Sequence, residues 1–183
     1  AFTPVGEATP ANIGVGSTTA VITAARSRNF NSSYAAAYHP WVRVRAKGQS
    51  IIADCPPSVA ACGAIARSQA LSAPWFAPAG FNRGGIGQLG GSAGPNVTSL
   101  TETLNKANRD DLYQIDINPI ARLQGEFVIF GQKTLQQTPS ALDRINVRRM
   151  MIDLKKQIGR IANTILFDQN IQVTWNKFKN KSE

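Results

Sequence analysis

A chain of 183 residues has room for one domain of ordinary size, or for one domain and part of a second. With 43% hydrophobic and 17% charged residues, disorder is not the default, and no apolar run approaches the ~18 residues that cross a bilayer. Twenty Lys and Arg against eleven Asp and Glu give a net charge of +9, which calls for an acidic partner: nucleic acid, a membrane surface or an acidic protein. Cys55 and Cys62 are too few for a disulfide framework and miss the Cys-x-x-Cys spacing, so reduced or buried thiols are expected. The N-terminus has no signal-peptide pattern and no initiator Met, as expected of a processed chain or an excised piece.

In chain order, residues 1–20 are Gly-, Pro- and Thr-rich and predict an irregular lead-in, and 21–25 reads as either a strand or the start of a helix. Trp41-Val42-Arg43-Val44-Arg45 alternates apolar and basic residues, the pattern of a half-buried strand. Lys47-Gly48-Gln49 predicts a turn, and Ile51-Ile52-Ala53 a return strand. Pro56-Pro57-Ser58 opens a helix to Leu71, with Val59, Cys62, Ile65 and Ala66 expected on its buried face. Residues 72–96 carry so many Gly and Pro that they predict a long connection without a regular element. Short helical pieces are expected over 101–115. Pro119–Leu123 and Phe127–Phe130 predict a hairpin about Gln124-Gly125.

The clearest signal comes last. Thr138-Pro139-Ser140 is expected to open a helix reaching about Leu166. Val147, Met150, Met151, Leu154, Ile158, Ile161 and Ile165 project to one side, and Arg144, Arg148, Arg149, Lys155, Lys156 and Arg160 to the other. This predicts a long amphipathic helix with a basic face, followed by a polar segment, 168–183. The fold class expected is α/β. One mixed sheet, from the 41–53 and 119–130 regions, is flanked by the 58–71 and 139–166 helices.

Catalytic chemistry finds little footing. The segment Gly125–Thr134 has five residues between its glycines, and Gln132 parts Gly131 from Lys133, so it misses the phosphate-loop spacing and predicts a strand ending in a turn. His39 stands alone before Pro40, without metal-ligating neighbours in sequence or a Gly-x-Ser-x-Gly elbow. A packed or surface histidine is expected. The basic helix face is the candidate site: cations at close helical spacing repel one another, and an acidic partner relieves that. Nucleic acid satisfies the charge, but no helix-turn-helix, zinc-finger or RNA-binding signature accompanies it. An acidic protein surface fits at least as well.

Several blocks resemble one family. Ala73-Pro74-Trp75-Phe76-Ala77-Pro78-Ala79-Gly80-Phe81-Asn82-Arg83-Gly84 is similar to the Pro-Trp-x-x-Pro-Ala-Gly-x-x-Arg-Gly block of contractile-tail sheath proteins. Asp143-Arg144-Ile145-Asn146-Val147-Arg148-Arg149 resembles that family's helix start. Asp111-Leu112-Tyr113, Ile117-Asn118-Pro119-Ile120 and Phe130-Gly131-Gln132-Lys133-Thr134-Leu135 lie between them in the expected order. The resemblance implies a sheath core domain over 34–168, with 1–33 as lead-in or the edge of a preceding domain and 169–183 as a polar basic tail. It implies a structural protein of the myophage tail in the virion, assembled in the host cytoplasm, without cofactor, metal, membrane insertion or catalysis. Sheath subunits of this kind form hexameric rings around a tail tube, meet baseplate and tail terminator proteins, and contract to drive genome ejection. The family's terminal arms are not recognisable, so a fragment is expected. The partner-binding residues expected are the six cations above, with reversal of Arg148 and Arg149 weakening attachment while leaving the fold largely intact. The alternative is a basic nucleic-acid-binding module.

Overall fold

The computed structural model describes residues 18–45, 50–87 and 97–182. The predicted irregular stretch up to residue 17, the turn at 47–49 and the glycines of 90–94 lie outside the described residues. The chain divides into two compact units, Ala1–Arg148 and Arg149–Glu183. In the first stand α1 (Thr18–Arg28), β1 (Ala37–His39), β2 (Val42–Arg45), β3 (Ile52–Cys55), α2 (Pro57–Leu71), α3 (Gly80–Arg83) and β4 (Val97–Leu100). They are followed by α4 (Lys106–Gln114), β5 (Ile117–Leu123), β6 (Glu126–Ile129) and a 3-10 turn at Ala141–Asp143. The start of α5 (Ile145–Asn163) belongs to this unit; its remainder and α6 (Gln172–Ser182) make the second.

The α/β class is as expected, but the strands form two three-stranded sheets among the described residues instead of one. A strand has two edges, and β5 fills both of its own: β1 pairs parallel on one side, Tyr38 against Asn118, and β6 antiparallel on the other, Ile120 against Ile129. No edge is left for β2, which pairs antiparallel with β3 and β4. The predicted hairpin is present, and Gln124 and Gly125 both take positive φ, 52° and 87°, as its two-residue turn requires.

Packing joins what pairing separates. Tyr38, Val42, Ile86, Val97, Ile120, Ile129 and Ile145 share one buried cluster with Ala60, Ala61 and Ala64 of α2. The helix at 58–71 is therefore correct and its predicted face is not. Val59 and Cys62 are exposed, while Ala60, Ala61, Ala64 and Ser68 are buried. Small side chains allow a helix backbone close approach to a sheet, which a ranking by hydrophobicity does not weigh. A second cluster joins Val21 of α1 to Ala37, Leu104, Leu112 and Ile117.

Other expectations shift at their edges. The Gly/Pro-rich stretch contains a regular turn of helix, α3, opened by Gly80 at φ 74°. A Cβ on Gly84 would lie 2.7 Å from the Ala79 backbone, so only glycine fits there. Beyond it, Ile129 donates to the Gly84 carbonyl at 2.8 Å and Ile86 to that of Phe127 at 2.9 Å, laying 84–86 along β6. Pro139-Ser140 opens the 3-10 turn, with Ser140 Oγ accepting from Leu142 N, and α5 itself begins at Ile145. The polar segment after it is helical from Gln172.

Candidate interaction surface

The six predicted cations are not equivalent. Arg144 precedes α5, donates to the Tyr113 hydroxyl and pairs with Asp143 at 3.3 Å. Arg148, one turn on, donates to Ser33 Oγ, and its guanidinium lies 4.1 Å from the Tyr34 ring centroid. Between them Ile145 enters the core, its N–H donating to the Gln132 carbonyl at 2.8 Å, and Asn146 donates to the Trp75 carbonyl. The Asp-Arg-Ile-Asn-Val-Arg stretch thus fastens the first turn of α5 to strands and loops of its own unit. Arg148, one of the six expected partner-binding cations, is thus held by a ring and a hydroxyl of its own unit.

In the second unit Arg149 is half-buried, whereas Lys155, Lys156 and Arg160 are exposed. Those three have no hydrogen bond or ion pair among the described residues. The one carboxylate on this stretch of α5, Asp153, accepts from Gln157 Nε2 at 2.6 Å. Of the six predicted cations, Lys155, Lys156 and Arg160 are therefore the ones with charge to offer a partner.

A polar cluster that sequence reasoning missed lies in the first unit. Buried His39 donates from Nε2 to Glu102 Oε2 at 3.0 Å, and Glu102 Oε1 accepts from Thr18 N at 3.3 Å and Thr18 Oγ1 at 3.0 Å. One carboxylate thus ties β1 to the N-terminus of α1, where the helix dipole favours negative charge. Burial lowers the His39 pKa below 6.5, outweighing the hydrogen bond and charge of Glu102, which raise it. The folded state then binds fewer protons than the unfolded chain, so this stability is present above pH 6.5 and lost as pH falls through the folded value. His39→Gln is expected to flatten the fall in melting temperature between neutral pH and about pH 5 relative to the unsubstituted chain. An equally steep fall in both would remove His39 as its source.

Lys133, the residue that suggested a phosphate loop, is spent internally. Its Nζ donates to the Tyr113 carbonyl at 2.8 Å and to Asp116 Oδ1 at 3.1 Å. Among the described residues no group of three or more His, Cys, Asp or Glu could hold a metal ion, and no helix is long and apolar enough to cross a membrane.

Two small sheets packed through an alanine-faced helix and followed by an arginine-fastened helix form a fold found in contractile sheaths. The chain matches the PVC sheath complex of an extracellular contractile injection system in its contracted state, with a TM-score of 0.73 and 20% identity, over 99% of this chain and 45% of that one. At the level of sequence the relatives are phage proteins. The tail sheath protein of Vibrio phage KVP40 is 44% identical over 120 residues, 65% of this chain and 17% of the relative. That of Enterobacteria phage T4 is 40% identical over 121 residues, 66% of this chain and 17% of the relative. Tail sheath proteins of T4-like phages are therefore homologues of this chain, which spans about a sixth of the length of these curated relatives. No protein-family model matches the sequence.

Proposed function

We propose that the chain is part of a structural subunit of a contractile phage tail sheath. In this reading copies assemble as hexameric rings around the tail tube, between baseplate and tail terminator proteins, and contraction drives genome ejection. The observation that carries it is the 44% identity to a tail sheath protein over 120 residues, supported by the shared fold. No chemistry is assigned to the subunit: the work of contraction comes from exchanging one set of intersubunit contacts for another, which needs a bistable packing and no cofactor. The site is the virion tail, with assembly in the host cytoplasm, and the sheath core is placed at 34–168, between a lead-in at 1–33 and a basic tail at 169–183.

Of the six cations, the reading assigns attachment to an acidic partner, the tail tube protein, to Lys155, Lys156 and Arg160, with Arg144, Arg148 and Arg149 supporting the helix that presents them. Exposed ion pairs are individually weak, which suits a contact that must register and later release. Negative-stain microscopy of the polypeptide that contains this sequence, expressed with and without its tube protein, tests the whole. Striated cylinders or stacked six-fold rings are expected. Dispersed particles under all assembly conditions, together with tight and steeply salt-dependent DNA binding, would favour the nucleic-acid module instead.

A further inference from the structure

A pocket of about 480 Å³ opens in the first unit between α4, the start of α3 and the residues that follow β6. Its volume falls within the ~300–1,000 Å³ of pockets that bury a small ligand. Three kinds of group meet in it. Ala79 and Phe130 supply apolar surface, and Phe130 is 48% exposed. Lys106 and Arg109, with Asp110 beside them, come from α4 at positions i, i+3 and i+4, which share one face of a helix. Lys106 is exposed with no hydrogen bond or ion pair among the described residues, and the first turn of α4 holds no acidic residue. Arg109 spends one guanidinium nitrogen on the Leu104 carbonyl at 3.2 Å, and a guanidinium has five N–H donors to give. The third is Gln132, whose Oε1 is buried without a hydrogen-bond partner among the described residues. Buried amide oxygens in folded proteins are almost always paired, so this one asks for a donor.

Together these groups describe a ligand. Two cations against one carboxylate call for an anion, Gln132 calls for an N–H donor, and Ala79 and Phe130 call for an apolar group. Inorganic phosphate brings only the first, and a lipid surface cannot enter a concave site. The last residue of a polypeptide brings all three within its own span: a free carboxylate, its amide N–H and its side chain. An internal Asp or Glu spends its side chain on the carboxylate and leaves none for the apolar surface.

We propose that this pocket captures the C-terminus of another polypeptide, one that ends in an apolar residue with its carboxylate free. Lys106 and Arg109 hold the carboxylate through charge-assisted hydrogen bonds, Gln132 Oε1 accepts from the terminal amide N–H, and the last side chain lies on Ala79 and Phe130. The site uses none of the α5 cations and stands whether or not the attachment assigned to them does.

The test uses the full chain and fluorescein-labelled peptides of one sequence ending in leucine, followed by fluorescence anisotropy. The free acid is expected to bind at least about tenfold tighter than its C-terminal amide. A third peptide, amidated but with a Glu earlier in its sequence, carries the same net charge as the acid. It should bind like the amide, which separates capture from general attraction to a chain of charge +9. A final glycine in place of the leucine should weaken binding of the acid. Lys106→Glu, at an exposed position, is expected to erase the preference for the acid, and Gln132→Leu to weaken its binding several-fold. Should Gln132→Leu fail to fold, Lys106→Glu decides alone. Equal binding of acid and amide, or a preference that survives Lys106→Glu, would overturn the proposal. So would an amidated Glu peptide that matches the acid, which would make the pocket a seat for acidic side chains, and so would no binding of the acid up to about 1 mM.

Discussion

Replacing Asn118 with alanine is expected to cost about 3–5 kcal/mol, a large share of the ~5–15 kcal/mol that holds a domain folded. The residue is fully buried in β5 and uses both ends of its amide. Nδ2 donates to the Ala37 carbonyl of β1 at 3.0 Å and to the Lys133 carbonyl at 2.8 Å, while Oδ1 accepts from Lys133 N at 2.6 Å. Truncation strands three backbone groups, each costing ~1–3 kcal/mol where water cannot reach it and less near Lys133, which is only partly buried. Gly131 belongs to the same device, since a Cβ there would stand 2.8 Å from Asn118 Oδ1. Asn118→Asp separates hydrogen bonding from volume. It keeps the acceptor for Lys133 N but turns an oxygen toward two carbonyls, so urea unfolding should find it also strongly destabilised. An aspartate variant as stable as the parent would show that the donor end does not matter.

That amide was invisible in the sequence, and the reason is general to this chain. Features written over neighbouring residues were legible: the turn residues Gln124 and Gly125, the alternation of 42–45, the helix after Ser140. Features that depend on which distant segments meet were not. Nothing local tells β5 to take β1 and β6 as neighbours and so exclude β2. Nothing near Glu102 points to His39, 63 residues away, or to Thr18. The α2 face was missed for a different reason: close packing against a sheet favours Ala60, Ala61 and Ala64 over the larger Val59. For the cations, periodicity assigns Arg148 a side of the helix, but only the fold brings Ser33 and the Tyr34 ring up to meet it.

This division of the basic residues leads to opposite outcomes for two sets of charge reversals. Arg148→Glu removes a guanidinium from an aromatic face and sets a carboxylate against the ring's negative quadrupole, with the loss of the Ser33 hydrogen bond besides. The expected cost is about 1–2 kcal/mol, which lowers the melting temperature by several degrees in a chain of this size. Lys155→Glu with Lys156→Glu and Arg160→Glu alters exposed side chains that touch no partner among the described residues. Melting should stay near that of the parent, because surface substitutions away from a specific contact are close to neutral. Co-assembly with the tube protein should nevertheless fail, and what binding remains should lose its dependence on salt, since the reversal moves the net charge from +9 to +3. Calorimetry and co-sedimentation on the same preparations separate the cases. Unchanged co-sedimentation of the triple variant would remove these cations from the attachment, and a lowered melting temperature for it would make them part of the fold. A residue that holds a helix in place and one that offers its charge outward can share a helix side in projection; stability tells them apart.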